Sequence, residues 1–194
     1  MREQYDFLVI GTGIAGLSYA LKVAKYGNVC VVTKTSAGET ATRYAQGGIA
    51  AVMYTPDTYE KHIKDTLNAG DDLNDEKIVR ITITESTDRI KELIEWGARF
   101  DKNKAGRYDL GREGGHSESR VLHHKDNTGQ EIQNVLLQQV KSNPNIVILE
   151  NHFTIDVITQ HHLGQEINRG RDDIICYGAY VLDIEKNLIH TILA

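Results

Sequence analysis

Three glycines, Gly11, Gly13 and Gly16, stand at GxGxxG spacing directly behind the apolar stretch at residues 5–10. Behind them Ile14, Leu17, Leu21 and Ala24 recur at helical spacing, Gly27 and Asn28 are placed as a C-cap pair, and apolar character resumes at residues 29–32. Strand, glycine turn, helix, strand is the order of a right-handed βαβ unit, and it confines the N-terminal part to a parallel sheet. In such a unit Gly11 permits the tight turn, Gly13 lets backbone approach a pyrophosphate, and Gly16 allows the helix to pack close to the strand. The helix N-terminus then offers N–H groups and partial positive charge to phosphates. The unit, residues 6–48, is read as a dinucleotide site.

NAD sites usually carry an acidic residue at the end of the second strand for the ribose hydroxyls. Here Thr33 and Lys34 occupy that place. Lys34 suits an NADP 2′-phosphate or the adenosine half of FAD, so this position leaves both open. The following TATRYAQGGI, residues 40–49, offers the hydroxyls of Thr40 and Thr42 and then the pair Gly47 and Gly48, where bare backbone can approach a flat ring such as a flavin.

Residues 55–97 switch to helical periodicity, with Tyr59, His62, Ile63, Thr66 and Leu67 on one face and Ile90, Leu93 and Ile94 on another. Their charged residues are read as solvated faces. Residues 101–126 are polar, rich in Gly and Arg and without a sustained period, which marks a long functional loop with short elements. Thr128 and Glu131 suggest a capping box ahead of a helix at residues 129–141. Residues 146–149 suit a return strand of the parallel sheet. Residues 153–159, 174–184 and 188–193 suit an antiparallel meander with polar turns at 161–173 and 185–187. The expected class is α/β: a Rossmann-like parallel sheet, a helical insertion and an antiparallel β-meander. The expected division is 1–54, 55–126 and 127–194.

Composition excludes more than it selects. A net charge of −5 with scattered basic residues gives no stripe for a phosphate backbone, so nucleic acid is not expected. No apolar run reaches the ~20 residues that span a bilayer. MREQYDFLVIG enters a strand without an h-region, so no signal peptide is read and a cytoplasmic location is expected. Cys30 and Cys176 each lie in an apolar stretch and are expected as buried, reduced thiols. His123–His124 and His161–His162 are adjacent pairs whose side chains are expected to diverge, so no metal is assigned.

VIGTGIAGLS at residues 9–18, YAQGGIAAV at 44–52 and REGGHS at 112–117 together resemble the L-aspartate oxidases, within the succinate dehydrogenase and fumarate reductase flavoprotein group. REGGHS is the most discriminating of the three, and the likeness runs along the entire chain. The resemblance implies FAD-dependent oxidation of L-aspartate to iminoaspartate, with fumarate or oxygen as acceptor, in de novo NAD synthesis. It also implies a link to a quinolinate synthase. FAD contacts would fall on the Gly11–Gly16 turn through Thr12, Gly13, Ile14 and Ala15, on Lys34, and on Ala41, Thr42, Arg43, Tyr44, Ala45, Gln46, Gly47 and Gly48. Glu113 would orient the substrate, since a carboxylate favours the ligand that carries an ammonium group.

Three departures from that pattern stand out. Ala41 replaces a common Ser, so a pyrophosphate hydroxyl must come from Thr40 or Thr42. Succinate dehydrogenases carry their flavin-linking His there, so the flavin is expected to be noncovalent. Gly111 stands where a Thr usually precedes REGGH. The ATGG-like turn and the downstream His and Arg residues of the family have no counterpart before Ala194. The chain is therefore expected to be an N-terminal portion, inactive alone and prone to self-association.

Overall fold

The computed structural model describes residues 2–168 and 170–194; Met1 and Arg169, the latter within the turn expected at residues 161–173, lie outside them. The chain divides into two compact units, Met1–Ala41 with Leu136–Ala194, and Thr42–Val135.

In the first unit, β1 (Arg2–Gln4) is followed by β2 (Phe7–Ile10), α1 (Ile14–Val23) and β3 (Val29–Val32). β2 and β3 pair in parallel, and β7 (Ile146–Leu149) joins on the far side of β3 in the order β2-β3-β7. Every residue of central β3 is buried, as a strand covered on both faces requires. Alternation sends Cys30 and Val32 to one face, where they pack with Ala179, Val181 and Ile192 of the meander, and leaves Val29 and Val31 for the α1 side.

The meander comprises β8 (His152–Thr159), β9 (Cys176–Asp183) and β10 (Leu188–Leu193), all antiparallel, with β1 added in parallel on β10. A 3-10 turn, Gln160–Leu163, follows β8.

The second unit holds α2 (Tyr59–Ala69), α3 (Glu76–Glu95) and a small antiparallel sheet of β4 (Ile49–Ala50), β6 (Val121–Leu122) and β5 (Leu110–Gly111). Thr58 and Asp75 cap α2 and α3 by accepting from the backbone N–H of Lys61 and Ile78. α4 (Thr128–Ser142) begins in this unit.

Several expectations are corrected. Residues 5–10 are not one strand: the chain bends at Asp6, whose carboxylate accepts from Asn28 N (2.7 Å), and polar β1 joins the other sheet. The apolar run at residues 5–10 has the pattern of a strand buried on both faces of a parallel sheet, yet β2 ends its sheet among the described residues and Ile10 is 54% exposed. α1 is not capped by Gly27 and Asn28; its C-cap is Ala24, and Gly27 instead leaves room for Asp6, which a Cβ there would strike. The capping box does not form, because the Thr128 hydroxyl accepts from His124 N (3.0 Å) and the Glu131 carboxylate from Arg99 N (3.0 Å). Cys176 is exposed, while Cys30 is buried.

Candidate functional site

The glycine turn at the end of β2 has the geometry that a pyrophosphate needs. Gly11 adopts φ +105°, a conformation open to glycine and costly for other residues, and its N–H donates to Val32 O at 2.8 Å. A Cβ on Gly16 would collide with the Gly11 carbonyl oxygen, so only glycine lets α1 begin this close to the strand end. Gly13 is the extended N-cap of α1, no side chain caps the helix there, and its first turn carries no acid. Thr12 is buried between the strand ends, its Oγ1 3.4 Å from Thr33 Oγ1. Ile14 and Ala15 open the helix, Lys34 is exposed just beyond β3, and Thr40 and Ala41 lie farther along the same connection. No acid stands at the end of β3, and the residues present fit phosphates at a helix N-terminus.

In the second unit Thr42, Arg43, Tyr44, Ala45, Gln46, Gly47 and Gly48 form an irregular segment, exposed except for half-buried Thr42. It is seated on the start of α4: Gly129 N donates to Ala45 O (2.9 Å), and a Cβ on Gly129 would strike the Thr42 carbonyl. Arg43, Tyr44 and Gln46 border a polar cleft with Asp126, Asn127 and Gln130. Gly48 has φ +120°, and a Cβ there would lie 2.5 Å from Leu122 O. Gly47 meets nothing within 4 Å, so its backbone borders open space, as contact with a flat ring requires.

Residues 112–117 make a tight turn. His116 N donates to Glu113 O (3.1 Å), Gly115 takes φ +85°, and Arg112 Nε donates to His116 O (2.8 Å). Glu113 projects from this turn, exposed. Beneath the turn lies a network that the sequence reading missed. Arg120 is fully buried and donates through Nε and Nη2 to both oxygens of Asp57 (2.9 and 2.8 Å). Its Nη1 donates to Asp65 Oδ2 (2.6 Å), which also accepts from Ser117 N (2.7 Å) and Ser117 Oγ (2.8 Å). The charges at residues 55–97 are thus not all solvated: Asp57 and His62 are buried and Asp65 nearly so.

The electrostatics follow from this network. Burial works against the Asp65 charge, but the Ser117 N–H, the Arg120 guanidinium and the Ser117 hydroxyl outweigh it and hold the carboxyl down at about 2. Burial, then Arg120 and His116, push His62 below the usual histidine range. His62 and His116 meet edge to face at 6.0 Å between centroids. The only sequence signal for the network was the serine of REGGHS followed at 120 by an arginine. Nothing local marked its two carboxylates.

The histidine pairs do not diverge. His123 and His124 both turn toward Asp101, at 3.2 and 3.9 Å, and the rings of His161 and His162 lie 3.8 Å apart between centroids, tilted by 48°, with both Nε2 atoms near Asp156. At residues 160–163 the 3-10 turn carries successive rings to one side where a strand or regular helix would separate them.

A protein family described as FAD binding domain matches residues 6–194. The chain belongs to this family. Its cofactor is FAD. An L-aspartate oxidase from rice, described as chloroplastic, is 48% identical over 183 residues, covering 94% of this chain and 27% of the relative. The L-aspartate oxidase of Vibrio cholerae is 44% identical over 197 residues, covering 99% and 36%. The chain thus spans about a quarter to a third of the length of these relatives. Among solved structures, a quinol fumarate reductase chain of E. coli superposes with a TM-score of 0.88 at 24% identity, over 100% of this chain and 32% of that one, and shares the fold. Among the described residues no helix is long and apolar enough to cross a membrane.

Proposed function

We propose that the protein containing this chain oxidises L-aspartate to iminoaspartate, passing the electrons to fumarate or oxygen, and that this chain supplies its FAD-binding part and one substrate-orienting group. The observation that carries the reading is the turn at residues 112–117, which presents the Glu113 carboxylate on a base fixed by Asp65, Ser117 and Arg120. The identity to two L-aspartate oxidases along nearly the whole chain supports it. FAD held there would supply the two-electron acceptor for the hydride that leaves the substrate Cα. Of the chain's own residues, Gly11, Thr12, Gly13, Ile14, Ala15 and Gly16 face the phosphates and Lys34 the adenosine half. Thr40 and Ala41 belong to the first unit's share of the contacts, and Thr42 to Gly48 offer backbone to the ring system. Glu113 accepts from the substrate ammonium, which distinguishes aspartate from succinate.

Ala41 has no nucleophile, so the flavin is noncovalent and leaves with the supernatant on acid precipitation. In this reading the helical and loop region at residues 55–126 is an insertion between two parts of the FAD-binding domain, at 1–54 and 127–194. Two free thiols suit a reducing compartment such as the cytoplasm. Iminoaspartate is an unstable product, and a quinolinate synthase is the proposed consumer.

The test is a chimera in which this chain replaces the corresponding part of the Vibrio cholerae relative. Without oxygen, L-aspartate bleaches its flavin, and Glu113→Gln lowers kcat/KM for L-aspartate by about 10- to 100-fold, the worth of one charge-assisted hydrogen bond. Bleaching by succinate in preference to aspartate would favour a fumarate or succinate oxidoreductase instead.

A further inference from the structure

We propose that His152, Asp183 and His190 form a binding site for a divalent transition-metal ion, with zinc the best match, that ties β8, β9 and β10 together. His152 pairs directly with Asp183, and His190 pairs with Val181, two residues from Asp183 on the same face. The register therefore puts all three side chains in one row, on the side of the meander that also carries Val181 and Ile192 into the core. Glu3 on β1, opposite Ile192, extends the row to the fourth strand. The sequence gives no hint of the set, because its members are scattered over 39 positions and meet only through strand pairing.

The protonation pattern is that of ligands. His152 Nδ1 lies 2.6 Å from Glu150 O, and a carbonyl only accepts, so the hydrogen sits on Nδ1 and Nε2 keeps its lone pair. His190 Nδ1 lies 3.0 Å from the Glu3 carboxylate, which fixes the same tautomer. Metal-ligating histidines almost always donate their second N–H to a carbonyl or carboxylate in this way. His190 is only 6% exposed, yet its Nε2 has no hydrogen-bond partner among the described residues, an arrangement that costs stability unless something fills it. Thr154 Oγ1, two residues beyond His152 on the same face, is likewise buried and unpartnered among the described residues.

Asp183 completes the set. Its Oδ1 accepts from Glu185 N and Lys186 N, while Oδ2 lies 3.8 Å from His152 Nε2. One ligand atom from each of the three residues lies within 4.8 Å of the other two. Tetrahedral zinc with bonds of about 2.0–2.1 Å separates its ligands by roughly 3.4 Å, so atoms now within 4.8 Å of one another need to close by up to about 1.4 Å. Lys186 Nζ sits 3.1 Å from Oδ2, but its side chain is 68% exposed and can turn to solvent when a cation enters. Two imidazoles and a carboxylate leave a fourth position for water, which Thr154 can bond.

The experiment uses the full chain stripped with a chelator, then titrated with zinc by calorimetry and with cobalt(II) by visible absorption. One metal per chain is expected, with the intense d–d bands of four-coordinate cobalt and a rise in Tm on adding zinc. His152→Gln and His190→Gln each weaken binding by more than 10-fold, and Glu3→Gln, which keeps the fold and alters only the outer partner, weakens it about 10-fold. Circular dichroism checks each variant; should His190→Gln not fold, His152→Gln, on a partly exposed residue, and Glu3→Gln carry the test. A control with both His161→Gln and His162→Gln, which removes the exposed cluster around Asp156, binds as the parent does. No binding by the parent chain, or binding that is lost in the control and kept in His152→Gln, would overturn the proposal.

Discussion

Arg120 and Asp57 form a bidentate ion pair with no solvent access to the guanidinium: Nε to Oδ2 is 2.9 Å, Nη2 to Oδ1 is 2.8 Å, and Arg120 is 0% exposed. The pair and Asp65 together place one cation between two anions directly beneath the Glu113 turn. Removing one partner leaves the rest buried and uncompensated. Arg120→Ala should therefore destabilise the fold by about 3–5 kcal/mol. Arg120→Lys should recover little, because an ammonium cannot reproduce the planar fork. Urea denaturation measures both, and a loss below about 1 kcal/mol for Arg120→Ala would contradict the assignment.

The same network sets an acid limb of stability. Asp65 is held at about 2 when folded, against 3.8 ordinarily, so its contribution is complete above pH 4 and is lost as pH falls through about 2. The stabilisation is on the order of 2 kcal/mol. Asp65→Asn should remove that dependence. His62 acts at higher pH. Its lowered folded pKa means that the unfolded chain takes up the proton first, so stability declines as pH drops below 6.5, and His62→Gln should flatten that part of the profile. Tm measured from pH 7 to pH 2 on the parent and both variants resolves the two limbs; parallel profiles would refute the assignment.

Gly16→Ala should destroy the phosphate turn. The added methyl meets the Gly11 carbonyl oxygen, and relief requires α1 to move off the strand end. The cost is about 1–3 kcal/mol in stability, with a loss of at least about 10-fold in FAD affinity, read by flavin fluorescence titration. Gly47→Ala, where a Cβ meets nothing within 4 Å, should fold normally, so any effect on affinity there reports ligand contact.

Much of the fold was legible because its determinants are local. GxGxxG, the helical recurrence of Leu17 and Leu21 and the run Val29–Val32 each specify their own element, so the βαβ unit was read with errors only at its ends. Those errors have one cause: Asp6 and Gly27 touch across 21 positions, and no local rule anticipates a bend fixed by such a contact. β1 was invisible because Arg2, Glu3 and Gln4 are polar and take strand form only by pairing with β10 at the far end of the chain. For the same reason the glycine turn and the Glu113 turn were found by motif, whereas Arg120, Asp57 and Asp65 were not. Their partnership spans 63 and 55 positions, and a charged residue, whether on a helix as Asp65 is or in a loop as Asp57 and Arg120 are, is ordinarily a solvated one.

The two cysteines should separate by reactivity. Burial, with the Glu3 charge adding to it, pushes the Cys30 thiol up to about 12, while Cys176 is exposed. Native protein should release one equivalent of thiol to a disulfide reagent at pH 8, and unfolded protein two. Two fast equivalents from native protein would mean that the β3 core opens readily.

The most direct test of the account is whether this chain holds flavin. The measurement is an absorbance spectrum of the purified 194-residue chain after incubation with FAD and removal of free cofactor. Retained flavin bands, lost in Gly16→Ala and released by acid, are the predicted result. A colourless parent protein that is folded by circular dichroism would contradict the claim that these residues form an FAD-binding unit.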